Sequence, residues 1–143
     1  MSAPATEVGT VLPVLTARLT RETLVRYAAA SGDLNPIHYS DHAATALGLP
    51  GVVAHGMLTM GTAVRVVTAW AGPELRLVSY GVRFTRPVPV PDDGVGAELR
   101  VTGTVTARDV GTLTVTLEAT CAGEKVLGAA TVVLTDAGGV GPA

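Results

Sequence analysis

Residues 54–70 of this chain form an almost uncharged stretch that is long enough for an extended helix. Arg65 is the one charged side chain, and apart from His55 the other positions hold apolar residues, glycine or threonine. We predict a helix over residues 55–70. A helix that is apolar or small on nearly every side is usually buried rather than half exposed. The rest of the chain is therefore expected to wrap around it.

The second half of the chain alternates between apolar residues and threonine or charged residues. Leu99, Val101 and Val105 share one face of the first such segment, opposite Thr102 and Thr104. This period of two is typical of antiparallel strands buried on one side. The last segment is apolar on both faces, so we expect it to be central in the sheet or pressed against a partner. The predicted strands are 11–18, 76–84, 98–108, 112–121 and 125–134.

The first half of the chain carries residues that begin and end helices. Thr20 is a predicted N-cap, and Gly32 ends that helix near Ser31. Ser40 is predicted to cap a short helix over 41–47. Helices followed by a run of strands indicate an α+β fold. We predict a curved antiparallel sheet wrapped around the long central helix, and the exposed edge of such a sheet favours dimerisation.

Size and composition restrict the kinds of protein this chain can be. Its 143 residues predict one domain over 1–135, followed by a flexible glycine-rich tail over 136–143. With 48% hydrophobic and 15% charged residues it is not a disordered chain, and a net charge of −2 argues against nucleic-acid binding. The single cysteine, Cys121, excludes a disulfide framework and is predicted to be a small core residue. No segment resembles a signal peptide or a membrane span, so we expect a soluble, cytoplasmic protein that does not bind membranes.

A polar loop between two predicted helices holds the candidate catalytic residues. Its sequence over residues 33–38 is DLNPIH. Pro36 restricts the backbone and Asn35 can satisfy loop backbone groups, so Asp33 and His38 can lie on the same side of the turn. A carboxylate and an imidazole that face one cavity can share a water molecule or transfer a substrate proton. The alternative is an Asx turn at Asp33 with His38 packed in the core.

The start of the long helix, AHGM at residues 54–57, is a second candidate site. The first amides of a helix have no acceptor within it, and Gly56 permits close approach to the backbone. A substrate carbonyl that gains enolate character would be stabilised at this helix end. His55 and Met57 flank Gly56 and are candidate substrate contacts. For His55 a capping or packing role at the helix entry is the alternative.

The three histidines lie close together in the sequence. A metal site built from His38, His42 and His55 is nevertheless not predicted, because their spacing is not that of a two-histidine helical motif. We predict no metal in the site.

Together the two motifs resemble the hydratase-2 signature of the MaoC-like family of (R)-specific enoyl hydratases and (3R)-hydroxyacyl dehydratases. The matching stretches are SGDLNPIH at 31–38 and AHGMLTMG at 54–61, and the resemblance continues at 82–84 and 87–88. It implies the hot-dog fold. It also implies reversible dehydration of (3R)-hydroxyacyl thioesters, carried by coenzyme A or an acyl carrier protein, to trans-2-enoyl thioesters. No cofactor is needed, since the thioester acidifies C2, and a homodimer or a heterodimer with a related hot-dog subunit is expected.

The resemblance also implies roles for individual residues. Asp33 and His38 would be the catalytic pair that activates the water added to or lost from C3, and His38 would also move the proton at C2. The Gly56 amide would hold the thioester oxygen, and Asn35 would brace the loop. The residues expected to bind substrate are Gly56, Asn35, His55 and Met57.

This sequence departs from the family pattern at one position. Many (R)-hydratases have a serine on the long helix that contacts the catalytic aspartate, and here the matching residue is Val64. Either Thr62 substitutes for it or the backbone alone orients Asp33.

Four arginines are candidates for binding the carrier's phosphates, with ordinary solvated charges as the alternative: Arg65, Arg76, Arg83 and Arg86.

Two other functions stay open. The first is a hot-dog acyl thioesterase, which generally carries an acidic residue on the long helix, whereas no Asp or Glu lies between Asp41 and Glu74. The second is a non-catalytic or weakly active thioester-binding subunit of a heterodimeric dehydratase. The presence of both Asp33 and His38 argues against that role.

Overall fold

The helices of the first half begin at the capping residues that the sequence predicts. Thr20 accepts a hydrogen bond from the Thr23 amide, and Gly32 ends the helix with a left-handed φ of 75°. Ser40 caps the second helix through the Ala43 amide. The computed structural model describes residues 4–138. Its helices are α1 (Arg21–Ser31), α2 (Asp41–Ala46) and α3 (Gly56–Ala71), with 3₁₀ turns at Pro36–His38 and Gly72–Glu74.

A six-stranded antiparallel sheet packs against α3 and confirms the predicted α+β class. The strand order is β1-β3-β4-β6-β2, with β5 paired to β4. The apolar strand β6 lies between two neighbours, as its two apolar faces predict. The strands are β1 (Leu15–Leu19), β2 (Leu75–Phe84), β3 (Ala97–Asp109), β4 (Thr112–Cys121), β5 (Glu124–Lys125) and β6 (Leu127–Asp136).

Two predicted strands differ from the structure by more than one residue at an end. The strand predicted over 11–18 is shortened to β1, with only an isolated bridge at Val11, because Pro13 has no amide to donate to a ladder. The strand predicted over 125–134 is divided by a bulge. Leu117 pairs with Ala130, where an unbroken ladder from the hairpin would place Gly128. Ala129 within this bulge has a left-handed φ of 47°.

Helix α3 is buried on one side only, which corrects the expectation of a helix covered on nearly every side. The sheet covers the face that carries Ala63, Val66 and Val67, while Met57 and Arg65 are exposed. The reason is that a single sheet packs against the helix from one side and leaves the other side uncovered. The core otherwise consists of inward-facing aliphatic residues of β3, β4 and β6.

The ends of the described chain bear on two further expectations. Strand β6 continues to Asp136, one residue past the predicted domain limit, and residues 139–143 of the predicted tail lie outside the described residues. The division into one domain and a flexible tail therefore stays a prediction.

Cys121, predicted to be in the core, is only half-buried at the end of β4. Burial raises the pKa of its thiol, and nearby Glu98 adds to the effect. No helix within residues 4–138 is long and apolar enough to cross a bilayer.

Candidate active site

The loop after α1 is held by a series of short-range hydrogen bonds. Ser31 Oγ accepts from the Asp33 amide, and Asp33 Oδ1 accepts from the Asn35 amide at 3.2 Å. Asn35 Oδ1 in turn accepts from the Ile37 amide at 3.2 Å and caps the 3₁₀ turn that Pro36 begins. These contacts give the carboxylate of Asp33 a backbone partner. Among the described residues Thr62 makes no hydrogen bond to it, so orientation by the backbone is the alternative that the structure favours.

His38 is almost fully buried and has one nitrogen committed to the backbone. Its Nδ1 lies 2.7 Å from the carbonyl oxygen of Val53. Because a carbonyl only accepts, Nδ1 carries the ring proton and Nε2 of the neutral ring carries a lone pair. Nε2 lies 3.9 Å from Asp33 Oδ2. This separation is too long for a direct hydrogen bond, but one water or hydroxyl oxygen can lie within hydrogen-bond distance of both atoms.

The first turn of α3 forms the other side of the site. Gly56 is the first residue of α3, so its amide has no partner inside the helix. The side chain of the N-cap residue His55 adds no capping hydrogen bond. The space at Gly56 is narrow, since a Cβ there would lie 3.1 Å from the ring of Phe84 and the ring would have to shift to admit it. The helix N-terminus thus offers a donor and a partial positive charge to a ligand.

These groups share one cavity of about 470 Å³. Asp33, His38, Gly56 and Met57 line it, as the sequence predicts, and Met57 is 60% exposed at its wall. The remaining wall is largely apolar, with polar groups from Thr59, Thr85 and Arg86. Its apolar residues are Ile37, Leu49, Val53, Ala54, Phe84, Pro87, Val88 and Val126. Such a cavity suits an acyl chain with a reactive polar end.

Two of the residues expected to bind substrate do not line this cavity. Asn35 uses its side chain to brace the loop, and His55 is buried behind the cavity wall with 1% of its surface exposed. Sequence reasoning gave no role to Thr59, which does line the cavity. The signal was its position three residues after Gly56, since helical residues three apart share one face.

The arginines predicted as phosphate contacts are not equivalent. Arg86 lines the cavity and lies 3.5 Å from Glu124, in an exposed ion pair. Arg65, Arg76 and Arg83 are not among the cavity residues, and all are exposed. Exposed pairs of this kind exchange partners at little cost, so Arg86 is available to an anionic ligand.

The structure also tests the arrangement of the histidines against metal binding. Asp33, His38 and His55 offer ligand atoms within 4.8 Å of one another, whereas His42 is exposed on α2. The rings of His38 and His55 are stacked at 3.8 Å with planes 21° apart. Lone pairs of stacked rings lie side by side in the ring planes and do not converge. The stacked trio therefore does not match the tetrahedral coordination that zinc prefers.

Comparison with known proteins identifies the fold and the family. A MaoC-like dehydratase of known structure superposes with a TM-score of 0.83 and 37% identity, over 93% of this chain and 43% of that one. The 3-hydroxyacyl-thioester dehydratase X of Mycobacterium tuberculosis is 40% identical over 79 residues, 55% of this chain. The chain spans 27% of that relative's length. The 3-oxo-4,17-pregnadiene-20-carboxyl-CoA hydratase beta subunit of the same organism is 32% identical over 110 residues, 77% of this chain and 81% of the relative.

The structural likeness confirms the predicted hot-dog fold, with its antiparallel sheet and long central helix. Residues 3–122 match the family described as MaoC like domain. That match covers most of the chain and includes both motifs, so this protein belongs to the MaoC-like domain family.

Proposed function

We propose that this domain catalyses the reversible dehydration of (3R)-hydroxyacyl thioesters to trans-2-enoyl thioesters. The observation that carries the proposal is the meeting of the Asp33–His38 pair and the free Gly56 amide at one apolar cavity. Membership of the MaoC-like family supports it. So do the names of two relatives, a 3-hydroxyacyl-thioester dehydratase and a CoA hydratase subunit.

The tautomer of His38 determines the proton transfers in this mechanism. Its unprotonated Nε2 removes the proton from C2 of the hydroxyacyl thioester and then delivers it to the C3 hydroxyl, which leaves as water. Asp33 accepts a hydrogen bond from that hydroxyl and holds it between the two side chains, across the 3.9 Å gap. In hydration the steps reverse: water loses a proton to His38 as its oxygen attacks C3, and the same proton returns to C2. General acid–base catalysis of this kind contributes about 10²–10⁴-fold.

The thioester oxygen gains negative charge when the C2 proton leaves. The Gly56 amide donates a hydrogen bond to that oxygen, and the N-terminus of α3 adds its positive partial charge. A donor aimed at the developing charge is worth about 10²–10³-fold in rate. The ring of Phe84 packs close to Gly56 and leaves a narrow space, which suits a flat thioester group.

We also propose that the domain works as a homodimer or as a heterodimer with a related hot-dog subunit. Edge strand β2 leaves Leu77, Val78 and Phe84 exposed, and one face of α3 is uncovered. A relative of which this chain covers 81% is named as a beta subunit. Light scattering of the purified protein, alone and co-expressed with its partner, distinguishes the two assemblies from a monomer.

The proposed activity is tested by hydration of crotonyl thioesters of coenzyme A and of acyl carrier protein, followed by loss of the enoyl-thioester absorbance. Asp33→Asn and His38→Ala are each expected to lower kcat by about 10²–10⁴-fold. His42→Ala is the matched control, since His42 is exposed on α2 outside the cavity. Absence of hydration with both carriers, with the native partner included, would refute the proposal. Near-normal turnover of either site variant would refute that residue's role.

A further inference from the structure

His55 is a buried polar residue for which the proposed mechanism has no use. It has 1% of its surface exposed and is not among the residues that line the cavity. Its ring is instead enclosed by three parts of the chain. Tyr27 of α1 meets it edge-on at 4.7 Å, His38 stacks on it at 3.8 Å, and Asp33 lies at its Nε2.

The two nitrogens of His55 have different surroundings. Nε2 lies 3.2 Å from the carbonyl oxygen of Asp33, so it carries the ring proton and donates it to that carbonyl. Nδ1 is buried with no hydrogen-bond partner in the described part of the chain. Protonating Nδ1 would place an unpaired N–H and a charge inside the protein, against the ring of His38, which is costly. His55 is therefore held as a neutral ring with one defined tautomer.

The titratable groups around His55 are consistent with a neutral ring. Burial is the largest effect, and it lowers the pKa of His55. The hydrogen bond to the Asp33 carbonyl and the charge of the Asp33 carboxylate raise the pKa, and the neighbouring His38 lowers it, with burial still the largest effect. Tyr27 completes the enclosure with the edge of its ring.

We propose that His55 is a positioning residue that sets the distance between Asp33 and His38. Its Nε2–H fixes the backbone of the aspartate, and its ring face supports the imidazole of the histidine. A single rigid side chain thereby touches both members of the pair without touching substrate. This inference rests on the proposed function for its catalytic consequence but not for its geometry.

Two substitutions separate donation from ring stacking. His55→Phe keeps a ring against His38 but removes the donor to Asp33. His55→Gln removes the ring but keeps an N–H at a similar reach. We expect His55→Phe to lower kcat by about 10–100-fold, as for a small misplacement of catalytic groups, with KM within two-fold or so of wild type. His55→Gln should recover part of that loss through its N–H donor, and the part not recovered measures the support that the ring gives to His38.

Each kinetic outcome supports or overturns the positioning role of His55. A raised KM with unchanged kcat would mean that His55 binds substrate, as the sequence suggests, and would overturn the positioning role. Unchanged kinetics in both variants would make it a space-filling residue. Equal losses in the Phe and Gln variants would overturn the donation to Asp33.

A second measurement on the wild-type protein keeps the inference independent of activity. NMR of labelled histidine rings is expected to show that His55 keeps its Nε2–H tautomer through the range near pH 6.5 where a free imidazole takes up a proton. Ordinary titration of His55 there would overturn the inference even if hydration is found. Failure of the crotonyl assay with a non-titrating His55 would refute the proposed function alone.

Discussion

Substitution of Gly56 by alanine tests how closely the cavity is built around the thioester. The backbone amide is retained in Gly56→Ala, so the proposed donor is not removed. The new Cβ would meet three ring atoms of Phe84 at 3.1, 3.2 and 3.3 Å. Carbon atoms pack best at about 3.5–4.0 Å, so the ring has to move by a few tenths of an ångström.

The structure suggests that this movement affects rate more than stability. Phe84 is 55% exposed, so its ring can move outward at small cost. Alanine also favours helices over glycine by up to about 1 kcal/mol, which offsets the crowding. The methyl group, however, would narrow the space in which the proposed mechanism places the thioester carbonyl beside the amide. Since a misplacement of about 1 Å can cost 10²-fold, we expect kcat/KM for crotonyl-CoA to fall roughly 10-fold.

Steady-state hydration of crotonyl-CoA and thermal unfolding measure the two effects separately. Gly61→Ala is the matched control, because it adds the same methyl to the same helix with nothing within 4 Å. Adding Phe84→Leu to Gly56→Ala should restore part of the lost rate. Full activity of Gly56→Ala would refute the proposed approach of substrate to this amide. A loss that Phe84→Leu does not relieve would refute the steric explanation.

Three further predictions concern the scaffold. The pKa of Asp41 is lowered chiefly by a hydrogen bond from the Val52 amide. The stability that the ionised carboxylate contributes is complete above its unfolded-state pKa and is lost as the pH falls through its folded-state pKa. Asp41→Asn should therefore flatten the acid limb of a plot of melting temperature against pH, and an unchanged limb would contradict this. Gly96→Ala should lower the free energy of unfolding by more than about 2 kcal/mol, because its Cβ would strike a backbone carbonyl. Gly94→Ala, which has a similar left-handed φ but open space, should lower it by only about 1 kcal/mol. Equal losses of unfolding free energy in denaturant titrations would contradict the clash. Burial raises the pKa of Tyr80 to about 12, so its phenolate absorbance should not develop by pH 11, and its development near pH 10 would show that the ring is not half-buried.

Local rules predicted the elements whose boundaries are set by neighbouring residues. The caps Thr20, Gly32 and Ser40 act within one helical turn, so the sequence alone places the ends of α1 and the start of α2. The alternation of valine and threonine predicted β3 and β4 for the same reason, because it records which face each strand buries.

Features that depend on distant parts of the chain were not predictable in this way. The bulge at Ala129 arises where the register on β4 changes between β5 and β6, and no local pattern marks it. The exposed face of α3 was not predicted either. Its residues are apolar or small in the sequence, and that pattern is the same whether this chain, another chain or solvent covers the face.

In the candidate site, too, local features were predictable from the sequence and long-range contacts were not. The motif places Asp33, Asn35 and His38 in one turn, and their short-range hydrogen bonds follow from that spacing. The burial of His55 behind the site instead depends on Tyr27, which lies far from it in sequence. Its neighbours Gly56 and Met57 do line the cavity, because the first turn of a helix presents successive residues to different surroundings.

The stereochemistry of hydration in heavy water tests the central claim most directly. Crotonyl-CoA is incubated in D₂O with the protein, and with its partner where there is one, and the product is analysed for deuterium and for configuration at C3. We predict (R)-3-hydroxybutyryl-CoA with one deuterium at C2. Neither this product nor deuterium at C2 should form with Asp33→Asn or His38→Ala. An (S) product, or release of free coenzyme A thiol without hydration, would contradict the assignment.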